Sequence, residues 1–145
     1  MKVSSRLDYA VKALVDLALH QATGPVPVKA IAKRQEIPLR YLEQLFNRLR
    51  RNGLVVAERG PRGGYSLGTP ADQITVSDIV KSMEPNGLLT RSAPPKGKKD
   101  PAAQVWKRVE AAVQTTLKAT TLEALVAQAS DQGPSNAKHR YTFHI

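Results

Sequence analysis

A mainly α fold with one small β-hairpin and a long helix in its C-terminal part is predicted by three features of the sequence. Apolar residues recur at three- and four-residue intervals in the segments 7–18, 39–49 and 105–117, the period of helices that bury one face. A β-branched run, LVVAERG, is followed after PRGG by YSLG, the pattern of two short strands about a glycine-rich tip. Breakers such as TGPVP, NG and EP separate these segments at places where a helix cannot continue.

Ser4 or Ser5 can cap a first helix whose apolar positions are Leu7, Ala10, Val11, Leu14, Leu17 and Ala18, ending near Gln21. The prolines of Thr23 to Pro27 then impose an extended connection, and a short second helix follows at about Val28 to Gln35. Glu36 and Ile37 turn the chain into Pro38, which suits a first helical turn. The third helix is predicted to start there, with Leu39, Leu42, Leu45, Phe46 and Leu49 on one face. Arg40, Tyr41, Glu43, Gln44, Asn47, Arg48, Arg50 and Arg51 lie around the other, and Asn52-Gly53 ends it.

Helix, short turn and helix make a helix-turn-helix, and a hairpin directly after it, Leu54 to Gly68, is a wing. Residues 74–83 read as a fourth helix capped by Thr75 and stopped by Glu84-Pro85. Residues 86–100 lack periodicity and carry four basic side chains, so a mobile loop is expected. A long helix is predicted from about Pro101 to Ala119, and Thr121 caps one more through about Ala129. The division expected is a winged helix-turn-helix domain at 1–70, a linking helix and basic loop at 71–100, long and terminal helices at 101–130, and a poorly ordered tail at 131–145.

At 145 residues, 41% apolar and 23% charged, the chain suits one compact domain or a small domain with an oligomerisation element, not two enzymatic domains. Its formal charge of +10 calls for a polyanionic partner, and by itself fits nucleic acid and an anionic membrane surface equally. The excess is concentrated: residues 1–70 carry 12 basic and 5 acidic side chains, residues 71–145 carry 10 and 7. Asp8, Lys12 and Asp16 interrupt the apolar N-terminal segment, which is therefore neither a membrane span nor a secretory signal, and a cytoplasmic location is expected. The absence of cysteine removes disulfides, thiolate zinc sites, cysteine nucleophiles and cysteine-held clusters.

The third helix carries the strongest functional signal, because an α-helix fits the major groove and its N-terminal side chains reach base edges. Arg40, Tyr41, Glu43 and Gln44 are the base-reading candidates: arginine suits guanine, glutamine adenine and glutamate the cytosine amino group. Lys2, Ser5, Arg48, Arg50 and Arg51 are assigned to phosphates. A solvated polar face would show the same residues. The turn before the helix and the basic hairpin after it favour DNA reading. In the hairpin tip, Arg59 and Arg62 stand among glycines, where an arginine can enter a narrow minor groove; an ordinary turn with exposed arginines is the plain alternative. A phosphate-binding loop is disfavoured, since the tip lacks a Lys-Ser/Thr ending and precedes a strand.

Val105, Trp106, Val109, Val113 and Leu117 form the stripe of the long helix. It packs either on its own domain or, as favoured here, on a second copy of the chain, which would set two recognition helices about one or more turns of duplex apart. His20, His139 and His144 are scattered, and no catalytic residues or metal ligands are assigned. His20 suits a charge partner at a helix C-terminus. An adaptor that uses this fold only for protein–protein assembly is the alternative function.

The stretches RLDYAVKALVDLAL, Gly24 to Val55 with its YLEQLFNRLRRNGLV, and RGPRGGYSLG together closely resemble the IscR/NsrR/CymR-type (Rrf-two) family of bacterial winged helix-turn-helix regulators. ITVSDIVKSME and a tryptophan-bearing helix followed by TLEALV extend the likeness to about Ala127. The resemblance implies a homodimer on an inverted-repeat operator of double-stranded DNA. It implies that Arg40, Tyr41, Glu43 and Gln44 read the major groove, that Arg59, Gly60, Arg62 and Gly63 form the wing contact, and that the long helix crosses the two-fold axis. Family members of the cluster type hold an iron–sulfur cluster with three cysteines and a further ligand before that helix. Here Ser92 stands where a first cysteine is expected and Ala103 falls near the expected histidine, so no cofactor is expected. The shortened, basic loop favours a naturally cluster-free member over one whose cysteines were replaced. A small-molecule effector between the wing domain and the long helix is the further partner considered.

Overall fold

The computed structural model describes residues 1–91, 97 and 99–131. The tail expected at 131–145 lies outside them from residue 132 onward, as do residues 92–96 and 98 of the expected loop, Ser92 among them.

Helix α1 spans Ser5–His20 and is capped by Ser4, whose hydroxyl accepts from the Leu7 amide. Its stripe of Leu7, Ala10, Ala13, Leu14 and Leu17 is buried at the centre of the molecule. After a single 3-10 turn at Gln21–Thr23, α2 runs over Val28–Gln35 and ends on Glu36, which adopts the left-handed conformation (φ 55°). Helix α3 covers Leu39–Arg51, one residue later than expected: Pro38 is extended (ψ 129°) and stands outside the helix as its cap. Leu39 is consequently exposed rather than on the buried stripe, which consists of Leu42, Leu45, Phe46 and Leu49. Gly53, at φ 78°, turns the chain out of α3.

Strands β1 (Val55–Glu58) and β2 (Gly64–Leu67) pair antiparallel, with Val55 opposite Leu67 and Glu58 opposite Gly64. The hairpin is held on its other side too. Val26, in the proline-flanked connection, exchanges two 2.8 Å backbone hydrogen bonds with Tyr65, and the Gln21 side chain accepts from the Leu67 amide.

Helix α4 spans Val76–Met83 and opens on a capping box in which Thr75 and Asp78 satisfy each other's amides. Helix α5 spans Pro101–Ala119, and α6 spans Leu122–Asp131. The turn between these two is stitched to the start of α4: the Val76 amide donates to Thr120 and the Leu122 amide to Ile74. Leu122 thereby enters the core shared by α1, α3 and α4, and Leu117 and Val126 pack against it. Among the described residues no helix is long and apolar enough to cross a membrane.

Candidate nucleic-acid interface

Burying one face of α3 on α1 and α4 turns the other outward. Arg40, Glu43 and Gln44 are exposed on its N-terminal half, as the sequence pattern predicts for side chains that reach out. Tyr41 is half-buried: its ring stands edge-on to Tyr9 of α1 at 5.8 Å between centroids. Arg50 and Arg51 are exposed at the C-terminal end. Arg48, grouped with them in the sequence reading, faces inward and donates from Nη1 to the Met83 carbonyl at 3.2 Å, satisfying an orphan acceptor at the end of α4. Lys2 and Ser5 lie exposed at the entrance to α1.

The wing tip, Arg59 to Gly63, projects both arginines into solvent. Its glycines shape the turn. Gly60 is at φ 111°, and the Gly63 amide donates to the Gly60 carbonyl at 2.9 Å. A Cβ on Gly63 would collide with the Glu58 carbonyl and crowd that of Gly60. The tip is fixed at its base by Tyr65, whose ring packs on Phe46 of α3 at 4.7 Å between centroids. Helix α3 and the wing are thus fastened to one another through this aromatic pair, and the Val26 bridge ties the wing to the connection before α2.

The packing of α1 on α2, the first helix of the helix-turn-helix, rests on a group that periodicity did not single out. Asp16 of α1 is only 2% exposed and accepts three hydrogen bonds from Arg34, the shortest 2.6 Å, and one from Gln35 at 2.9 Å. Those bonds, ahead of the ion pair itself, raise the pKa of the Arg34 guanidinium. His20 closes the group from the end of α1: with a proton on Nδ1 it donates to the Asp16 main-chain oxygen at 2.8 Å. The signal was present in the sequence, a lone carboxylate among the apolar positions of a buried helix, since such a charge is kept only with partners.

Among the described residues, few cover the stripe of α5. None of its residues is buried; Val105, Trp106 and Val109 are 52%, 41% and 38% exposed, while Val113 and Leu117 are half-covered near α4 and α6. A hydrogen bond from the Ser77 hydroxyl to Gln114 links it to α4. A small recess of about 140 Å³ separates α5 from the chain before it, lined by Leu89, Arg91, Ala103, Trp106, Lys107 and Glu110.

A family model described as Rrf2, iron-dependent transcriptional regulator, matches residues 3–128. The chain is 40% identical over 130 residues, 87% of its length and 79% of the relative's, to the HTH-type transcriptional regulator IscR of Xenorhabdus nematophila. It is 50% identical over 91 residues to IscR of Cronobacter sakazakii, a match covering 63% of this chain and 56% of that protein. The chain thus spans little more than half the length of several such relatives. Among solved structures, IscR of T. potens superimposes with a TM-score of 0.78 at 35% identity over 97% of each chain. CymR, the global cysteine regulator of B. subtilis, gives 0.76 at 34% identity over 88% of this chain and 98% of its own.

The iron in the family's description finds no matching donor set in these residues. The chain has no thiol. The recess beside α5 offers neither sulfur nor imidazole, with Ala103 on its wall, and among the described residues no three His, Cys, Asp or Glu side chains gather to hold a metal. The match over residues 3–128, together with the winged-helix neighbours, places the chain in the Rrf2 family of transcriptional regulators.

Proposed function

We propose that this chain is a sequence-specific, DNA-binding transcription regulator that acts as a homodimer on an inverted-repeat operator without an iron–sulfur cluster. The observation that carries this reading is the fixed pairing of two exposed basic elements. Arg40, Glu43 and Gln44 on α3 stand beside a wing bearing Arg59 and Arg62, held by the Phe46–Tyr65 contact and the Val26 bridge. An α-helix for the major groove and an arginine tip for the adjacent minor groove are the two probes a winged helix needs. The exposed stripe of α5 supplies a surface through which a second copy would duplicate them about a two-fold axis. Lack of thiols argues for a response that does not pass through a cluster.

Selection of bound duplexes from a random pool tests the proposal. An inverted repeat should emerge, with affinity falling steeply as salt rises. Replacing Arg59 or Glu43 by Ala should relax base preference more than replacing Arg51. Equal affinity for all duplexes removes the specific reading, and no affinity at low salt moves the chain to an adaptor role.

A further inference from the structure

We infer that Glu84 is a positioning residue for DNA binding, which clasps the first turn of α1 to the end of α4 and so holds the N-terminal arm in the pose that meets the phosphate backbone. The inference rests on the DNA-binding reading above.

Glu84 follows the last residue of α4, and its amide closes that helix on the Val80 carbonyl. Its carboxylate reaches 80 residues back along the sequence. One oxygen accepts from the hydroxyl of Ser4, and the other accepts from Nη2 of Arg6 at 2.9 Å. Ser4 is thereby used twice, since the same hydroxyl oxygen that donates its proton to Glu84 accepts the Leu7 amide as the cap of α1. One residue before Glu84, the Met83 carbonyl receives Arg48 from the recognition helix. Three elements, α1, α3 and α4, which share the apolar core, are therefore also joined at one corner through charge-assisted bonds.

The residues this corner orders are the exposed ones at the start of the chain. Lys2 and Ser5 flank the clasped Ser4. Without Glu84, the hydroxyl of Ser4 and the guanidinium of Arg6 lose their acceptor, and the first turn is free to fray. An arm that must be ordered on binding costs affinity. A carboxylate near a phosphate backbone is otherwise a liability, because like charges repel, so its presence here calls for a structural return.

That conflict of signs supplies the test. Wild type, Glu84→Gln and Glu84→Ala are titrated by fluorescence anisotropy against the inverted-repeat duplex selected by the wild type and against a scrambled duplex. The two variants lose the same charge, but only glutamine keeps an oxygen that can accept from one of the two donors, Ser4 or Arg6. If Glu84 acts merely as a charge, both variants bind more tightly and equally so. If it positions the arm, Glu84→Ala binds about fivefold or more weakly than wild type and Glu84→Gln falls between them. Amide hydrogen exchange on the free proteins reads the clasp directly: protection at Leu7 and Asp8 should drop in Glu84→Ala while that of core amides in α1 persists. Tighter or unchanged binding by both variants, or unaltered exchange in the first turn, overturns the inference. A wild type that selects no duplex refutes the DNA reading and the positioning role with it, while the exchange result still decides whether the clasp exists.

Discussion

Truncating Trp106 should weaken the proposed dimer far more than it weakens the fold. The indole is 41% exposed and flanked by Val105 and Val109, which are 52% and 38% exposed, so the stripe of α5 leaves apolar surface uncovered in a single chain. For a side chain able to bury up to about 250 Å², that fraction is roughly 100 Å² per protomer. Alanine would retain only a minor part of it. Over two copies about 150 Å² of apolar surface would be lost, worth about 4 kcal/mol at roughly 25 cal/mol per Å² if the partner covers it all. Partial coverage halves that, so Trp106→Ala should raise the dimer dissociation constant by about 30- to 1,000-fold. Sedimentation equilibrium over a dilution series reads this directly, with Lys107→Ala, a polar change one residue away, as the control expected to leave the midpoint in place. Since no residue of α5 lies in the core, thermal unfolding of the diluted monomer should change little. A Trp106→Ala protein with the wild-type midpoint, or a wild type that stays monomeric at high concentration, would refute the reasoning.

Three further outcomes are expected. Arg34→Ala should cost more stability than Asp16→Ala in urea titrations, about 3–5 against 1–3 kcal/mol, because the first strands a buried carboxylate whereas the second leaves a guanidinium already one-third exposed and able to hydrate; the reverse order would contradict the burial argument. Glu84 has its pKa lowered, first by the Ser4 hydroxyl and then by Arg6 and Arg48, against the opposing effect of burial. Its contribution to stability should be full above the ordinary carboxylate range and lost as the pH falls through its lower folded value, so the stability gap between wild type and Glu84→Gln should close in acid, and a gap that widens there would be contrary. Gly63→Ala should disturb the wing, through the collision with Glu58, and reduce operator preference while leaving the main unfolding transition nearly in place, as checked by binding and calorimetry on one preparation.

What the sequence made legible was whatever local periodicity writes. The second and long helices run over Val28–Gln35 and Pro101–Ala119 as expected, because a proline at or just before the first residue marks where each begins. Leu39 went astray by one residue, since Pro38 can stand just outside a helix as well as at its first position, and that choice decides whether Leu39 is inside. The Val26–Tyr65 bridge, the Thr75–Thr121 stitch and the Ser4–Glu84 clasp join residues 39 to 80 apart, and no window of neighbouring residues carries such pairings. Arg48 shows the same limit within one helix: its sequence context is that of Arg50 and Arg51, and only the arrival of the α4 terminus turns it inward. The candidate DNA surface was legible in its residue types, while the parts that hold it rigid were not.

The bridge from Val26 to Tyr65 has a consequence for the other partner. It ties the wing to the entrance of α2, so a protomer presents its helix and its tip as a gauge of fixed span. If duplex DNA docks as proposed, the two grooves must come to that span, and the deformation required falls on the nucleic acid. Its energy depends on the stiffness of each base step, so operator positions that no side chain touches should still be selected, with flexible pyrimidine–purine steps or narrow A-tracts favoured wherever the gauge demands a bend or a tighter groove.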